Sequence, residues 1–230
     1  MPKTERLAPA DPAESLPAPM DSRALLAVAA RVLREHGLAA TKLSQVAAAL
    51  GMTPQSLSER YATKDILAQG IFAETIRILK AADSRAWPGY GSGMRRTLAA
   101  ARSFEDGYVV LVREAMLDSG HHASWLALRR RSGQRLRALL WHPNDPPPIA
   151  DQPPLTDLVV GPMAAFCIEA ITHWVEVGDR EQDDLFLGWC GKAIQGWRQN
   201  ACEILDLDTP DQDWPFDTEA PVLRGGLILF

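Results

Sequence analysis

The chain has 230 residues, 47% of them hydrophobic and 23% charged, enough to bury a real core and to hold one large or two small domains. Its net charge of -5 excludes a protein that coats nucleic acid over its whole surface, and its three cysteines, Cys167, Cys190 and Cys202, are far apart and without metal-ligand spacing. They read as buried small hydrophobes, with redox sensing as the alternative, and neither a metal nor a cofactor is expected. The apolar runs read as broken by charges short of the ~18 residues of a membrane span, and the start lacks the basic and apolar regions of a signal peptide. A cytoplasmic protein without a membrane partner follows.

Residues 1–20 carry Pro2, Pro9, Pro12, Pro17 and Pro19 and no helical period, and are read as disordered. Asp21 or Ser22 then caps a helix whose Leu25, Leu26, Val28, Ala29, Val32 and Leu33 share one face, and Gly37 stops it. The next stretch, Thr41 to Lys64, is written as two short helices around Gly51. Thr41 is placed as the N-cap of the first, Gly51 takes positive φ, Met52 packs under the corner, and Thr53 caps the second with Pro54 at its first position. Such a helix-turn-helix offers its second helix to the DNA major groove. Six basic residues between Ser22 and Lys64 face only Glu35 and Glu59, so this segment is positive within an acidic chain.

After Tyr61, Thr63 caps a longer helix from Lys64 to about Arg85. The run from Ser22 to Leu67 now resembles the amino-terminal DNA-binding domain of the TetR family of transcriptional regulators. The resemblance rests on Arg23, Ala29 and Ala30, Gly37, Thr41, Val46 and Ala47, Gly51, Leu57, Tyr61 and Lys64, where small, apolar and capping positions agree together. It implies an all-α protein with a three-helix head at 21–64, a helical effector-binding and dimerisation domain at 65–205, and here an acidic tail with an apolar end at 206–230. Its candidate partners are double-stranded DNA, a second copy of the chain as a homodimer, and an unknown small-molecule effector.

Within the head, Thr53, Gln55, Ser56, Ser58, Glu59, Arg60 and Tyr61 belong to the recognition helix or its ends. Gln55 suits adenine, Glu59 cytosine, and Arg60 guanine or phosphate, while Arg23, Thr41 and Lys64 sit where phosphates are held. Two residues depart from the family pattern. Ser58 stands where most relatives have an aromatic, and Glu59 sets a carboxylate near phosphates, so weak or strongly salt-dependent binding is expected. The alternative is a non-catalytic, helical, small-molecule-binding dimer with a degenerate head.

Farther on, WPGYGSG at 87–93 reads as a loop, followed by helices at about 94–102, 103–118 and 122–141. Arg129, Arg130, Arg131, Arg135 and Arg137 read as a solvated face with acidic partners, with a second nucleic-acid surface as the alternative. Residues 142–154 are too proline-rich for helix, and two long helices follow at about 156–177 and 181–205, the first starting or kinking at Gly161 and Pro162. Trp87, Phe104, Tyr108, Met116, Trp125, Met163, Phe166, Glu169, His173 and Trp174 are candidates for an effector pocket, and equally for core. Ile171, Val175, Phe186, Trp189, Cys190, Ala193, Trp197 and Ala201 are candidates for a dimer interface, which the resemblance places on the last two helices, although core packing within one subunit would write much the same stripe. His121 and His122 point about 100° apart on a helix and suit a metal badly, and with no serine elbow, P-loop or thiol motif an enzyme is not expected.

Overall fold

The computed structural model describes residues 21–83, 90–140 and 153–204. Trp87, residues 1–20, residues 142–152 of the stretch expected as a loop at 142–154, and the expected tail at 206–230 lie outside the described residues. Among those described there are nine α-helices, one 3₁₀ turn and no strand. The helices are α1 (Ser22–His36), α2 (Leu43–Ala49), α3 (Pro54–Arg60), α4 (Lys64–Asp83), α5 (Tyr90–Ser103), α6 (Glu105–Ala115), α7 (His122–Leu140), α8 (Pro153–Val177) and α9 (Asp183–Ile204). The chain is all-α.

In the head, the local chemistry sets the boundaries. Asp21 accepts from the Arg23 amide at 3.3 Å to start α1, and Gly37 ends it at φ 77° with its N–H on the Leu33 carbonyl. Gly51 turns the corner at φ 64°, a conformation that would cost a side-chain-bearing residue roughly 1–2 kcal/mol. Thr53 Oγ1 accepts from the Ser56 amide at 3.1 Å with Pro54 at the first helical position, and Thr63 Oγ1 accepts from Ile66 at 3.2 Å. Thr41 is a correction: Lys42 is the N-cap of α2, its amide held at 2.7 Å by Gln45 Oε1 reaching back from the third position. Thr41 instead gives its hydroxyl to the Gly37 carbonyl at 2.7 Å, because its own amide already closes the same turn on that oxygen.

A single apolar core runs from Leu25 and Leu57 in the head to Ile194 in α9. At its centre lies α6, whose Tyr108, Val109, Val110, Leu111 and Val112 are buried in succession between α1, α4, α5, α7 and α8. A run of β-branched residues favours strand locally. Here burial on every side overrides that preference, as expected of a helix that is apolar all round.

Three boundaries differ from expectation. Tyr90 to Gly93 form the first turn of α5, where the orphan amides of a helix start make glycine inexpensive, and Thr97 bonds back to the Gly93 carbonyl at 3.0 Å. Met116 and Leu117 leave the apolar stripe as α6 ends and are 44% and 80% exposed. Helix α8 starts at Pro153 and passes through Pro162. Its 157–177 segment, mean hydropathy 1.5, is also long and apolar enough to cross a membrane by length and composition, contrary to the sequence reading. Half of that window is buried within the protein, against α5, α6, α7 and α9.

Candidate nucleic-acid interface and helical body

Helix α3 is held by one residue. Leu57 is fully buried, and the other six residues, Pro54 to Ser56 and Ser58 to Arg60, are exposed. The polar groups on this face are partly organised among themselves. Ser58 Oγ donates to the Gln55 carbonyl at 2.8 Å, Gln55 Nε2 reaches Glu59 Oε1 at 3.4 Å, and the Thr53 and Ser56 hydroxyls meet at 2.9 Å. Arg60 and Lys42 are exposed cations with no ion pair among the described residues. Lys42, at the start of α2, was not among the sequence candidates, although its place before a short amphipathic helix is visible in the sequence.

The other sequence candidates in the head have structural work. Arg23 donates to the Ser103 carbonyl at 3.2 Å and lies 3.8 Å from Glu74, tying α1 to the body. Lys64 Nζ donates to the Ala39 carbonyl at 3.0 Å, closing the start of α4 on the turn after α1. Half-buried Tyr61 lies over Gly70, where a Cβ would stand 3.3 Å from its ring. Thr41 is buried, with its hydroxyl engaged as above, and in this arrangement it offers nothing outward.

Head and body are joined mainly through α1 and α6. Arg34 bonds Asp106 at 2.9 Å and Glu105 at 3.2 Å, and Glu114 Oε2 accepts from the Leu38 amide at 3.1 Å. Partial burial works against the Arg34 charge, but the carboxylates outweigh it and hold its pKa above the ordinary value. Polar contacts at a joint exchange with water more readily than apolar core does.

The pocket candidates scatter. Tyr108 and Met163 are buried, and Tyr108 lines a cavity of about 60 Å³ whose walls come from α4 to α8. Burial raises the Tyr108 pKa, so the phenol stays protonated. Phe104 is buried against Gly107. Trp174 stacks on Phe186 at 4.9 Å and donates to Asp183 at 2.7 Å, while Arg102 bonds the same carboxylate, so Trp174 clamps α8 to α9 and α5. Glu169 pairs with Arg113 at 2.8 Å and His173 is exposed, so neither enters the cavity. Met116 is exposed, Trp125 lies beside His122, and Phe166 packs on Trp189. None of these seven lines that cavity.

What the sequence reading missed is the cavity's polar end. Asp83, the last residue of α4, is buried and ion-paired with Arg131 and with Arg135, whose guanidinium also donates to the Asp83 carbonyl at 2.6 Å. Arg131 and Arg135 are four apart and share one face of α7, which their spacing could have signalled. Arg129, over Trp125, and Arg130 lie on the exposed side, and Arg137 pairs with Asp157 at 3.6 Å.

The dimer candidates also divide. Ile171, Val175, Phe186 and Cys190 are buried inside the protomer, a correction to their assignment. Trp189 and Trp197 are 51% and 36% exposed, and Trp197 lines an open groove with Leu158, Ala193, Gly196, Ala201 and Ile204. All three cysteines are free and buried. Among the described residues no three His, Cys, Asp or Glu side chains gather as a metal site.

A three-helix head that exposes one face of its second helix-turn-helix helix, on an all-helical body, defines a helix-turn-helix DNA-binding protein. Residues 25–71 match the family of bacterial regulatory proteins, tetR family, so the head is a TetR-family DNA-binding domain. The whole fold is similar to that of PfmR, a TetR family transcriptional regulator from Thermus thermophilus, at 18% identity and TM-score 0.50, covering 81% of this chain and 99% of that one. It is also similar to a tetR-family transcriptional regulator from Streptomyces coelicolor, at 14% identity and TM-score 0.54, covering 84% of this chain and 91% of that one. At these identities the likeness is one of fold. No curated protein matches the sequence.

Proposed function

We propose that the chain is a ligand-responsive repressor that binds a pseudo-palindromic operator as a homodimer in the cytoplasm and releases it when a small molecule enters the body. The observation that carries this reading is α3, anchored by Leu57 alone and presenting Gln55, Ser56, Ser58, Glu59 and Arg60 outward. A short helix exposed in this way has little reason to be folded for its own stability. Its polar side chains are those that reach base edges and phosphates.

One head buries too little surface to select an operator by itself, and two heads on a two-fold axis read two half-sites. The exposed groove around Trp197 supports that pairing, since a C₂ interface needs one self-complementary patch per subunit. Effector control would act through α4, which begins at Lys64 in the head and ends at Asp83 beside the cavity. An effector that favours a second position of α4 shifts the spacing of the heads. This reading requires no catalysis.

Selection of bound fragments from genomic DNA, followed by footprinting, tests it. A repeated palindrome with half-sites about one helical turn or a multiple apart is expected. Selection of no sequence would instead support the degenerate-head alternative.

A further inference from the structure

On the reading that the body is an effector site, we propose that its effector is a small organic carboxylate, whose head group takes Arg131 and Arg135 away from Asp83. The cavity has an apolar floor of Met94, Leu136, Ile168 and Ile171 and a charged end of Asp83, Arg131 and Arg135. Among these lining side chains two guanidiniums face one carboxylate, which leaves a net positive wall beside the apolar floor. Arg131 Nε is buried and meets no acceptor among the described residues. Its planar fork is matched by a second carboxylate. An apolar floor beneath such a fork suits a carboxylate with a short hydrocarbon tail better than a fully hydrated inorganic anion. At about 60 Å³ the cavity holds roughly four water-sized groups, so the tail is short.

The position of Asp83 gives binding a consequence. As the last residue of α4, its carboxylate sits where the helix dipole disfavours negative charge, and it is buried against the arginines of α7. A ligand that claims those arginines leaves Asp83 a buried charge without a counter-ion. The residue must turn to solvent, carrying the end of α4 with it, and the same rigid helix reaches the head at Lys64. Asp83 is thus a built-in occupant of the effector's site, and the ion pair is a latch on α4.

The test titrates full-length protein with sodium butyrate at constant ionic strength, with butyramide, butylamine and inorganic phosphate in parallel. Binding is followed by calorimetry and by the ¹³C-methyl resonance of Met94, assigned with Met94→Leu. Saturable binding of butyrate that moves the Met94 signal is expected, with no comparable response to the three controls. Arg131→Gln should weaken it ~10–100-fold, the range for losing a hydrogen-bonded charge, with partial recovery in Arg131→Lys. The proposal is overturned by flat titrations across acetate to hexanoate, by equal binding of butyramide, butylamine or phosphate, or by unaltered affinity in a folded Arg131→Gln protein. The comparison of butyrate with butyramide needs no variant, so misfolding of Arg131→Gln cannot shield it. Failure here with an operator still selected leaves the DNA-binding reading standing. Failure of that reading is seen separately, as no operator at all.

Discussion

Cys190 shows what burial does to a single reactive group. It is fully buried, and desolvation, assisted by nearby Cys167, pushes its thiol from 9.0 up to about 12. A thiol whose folded pKa is raised keeps its proton while the unfolded chain loses one. Its contribution to stability is therefore complete below the unfolded value and is lost as pH rises toward about 12. Native protein at pH 8 should leave Cys190 unlabelled by a thiol reagent over minutes, with labelling on denaturation, and unfolding midpoints should fall between pH 9 and 11. Rapid labelling of Cys190 in the native protein would refute this and revive redox sensing. Gly107 poses a second problem at the same scale. Alanine there gains roughly 1 kcal/mol of helix propensity, but its Cβ would overlap the ring of Phe104, which is only 5% exposed. Overpacking a ring with no way out costs about 1–3 kcal/mol, so the clash wins. Gly107→Ala should lower the urea midpoint with an unchanged slope.

At the scale of the element, α3 is short, single-anchored and mixed in charge, and its DNA affinity should reflect that. Glu59 places a carboxylate on the exposed face next to the exposed Arg60, and Lys42 is exposed before α2, while Arg23 and Lys64 are engaged with backbone carbonyls. Few phosphate contacts per head mean modest affinity, and each counts heavily in the salt dependence. Glu59→Gln should tighten binding to a selected operator, and Lys42→Ala should weaken it and reduce the slope of log K against log salt by about 0.9 per phosphate lost. Fluorescence anisotropy across a salt series measures both, and nanomolar binding barely altered by salt would contradict the premise. The elements of the head were legible in the sequence because each is punctuated locally, by Asp21, Gly37, Gly51, Thr53 and Thr63. Thr41 was misplaced because a hydroxyl before a short helix can serve the carbonyl behind it as readily as the amide ahead. In the body the helices were legible and their faces were not. Trp174, Phe186 and Cys190 belong to the same three-four pattern whether it meets a cavity, a neighbour or a second subunit, and only packing decides between them. The pairing of Asp83 with Arg131 and Arg135 joins residues about fifty positions apart, which no local pattern reports.

Across the whole molecule, the apolar surface left over after folding argues for a second copy. Trp197, Leu158 and Ile204 are large and exposed at the groove between α8 and α9, and Trp189 is exposed on α9, whereas the residues of the same helices that face inward are buried in the protomer. A groove floored by Ala193, Gly196 and Ala201 lets a partner helix approach closely, and the tryptophans supply the kind of anchor that dominates interfaces. If two chains pair there, Trp197→Glu buries a charge in the interface of each and should shift the mass by light scattering from two chains to one. Leu117→Glu is the matched control, because Leu117 is 80% exposed at the end of α6 and its replacement should leave the mass unchanged. Separating the copies also uncouples the heads. Two linked half-site contacts exceed one by about 10²–10⁴ in affinity, so the Trp197→Glu monomer should lose at least a hundredfold on a full operator and nothing on an isolated half-site. A variant that remains dimeric would move the interface elsewhere, whereas a monomer that still held the full operator at wild-type strength would remove the need for pairing altogether.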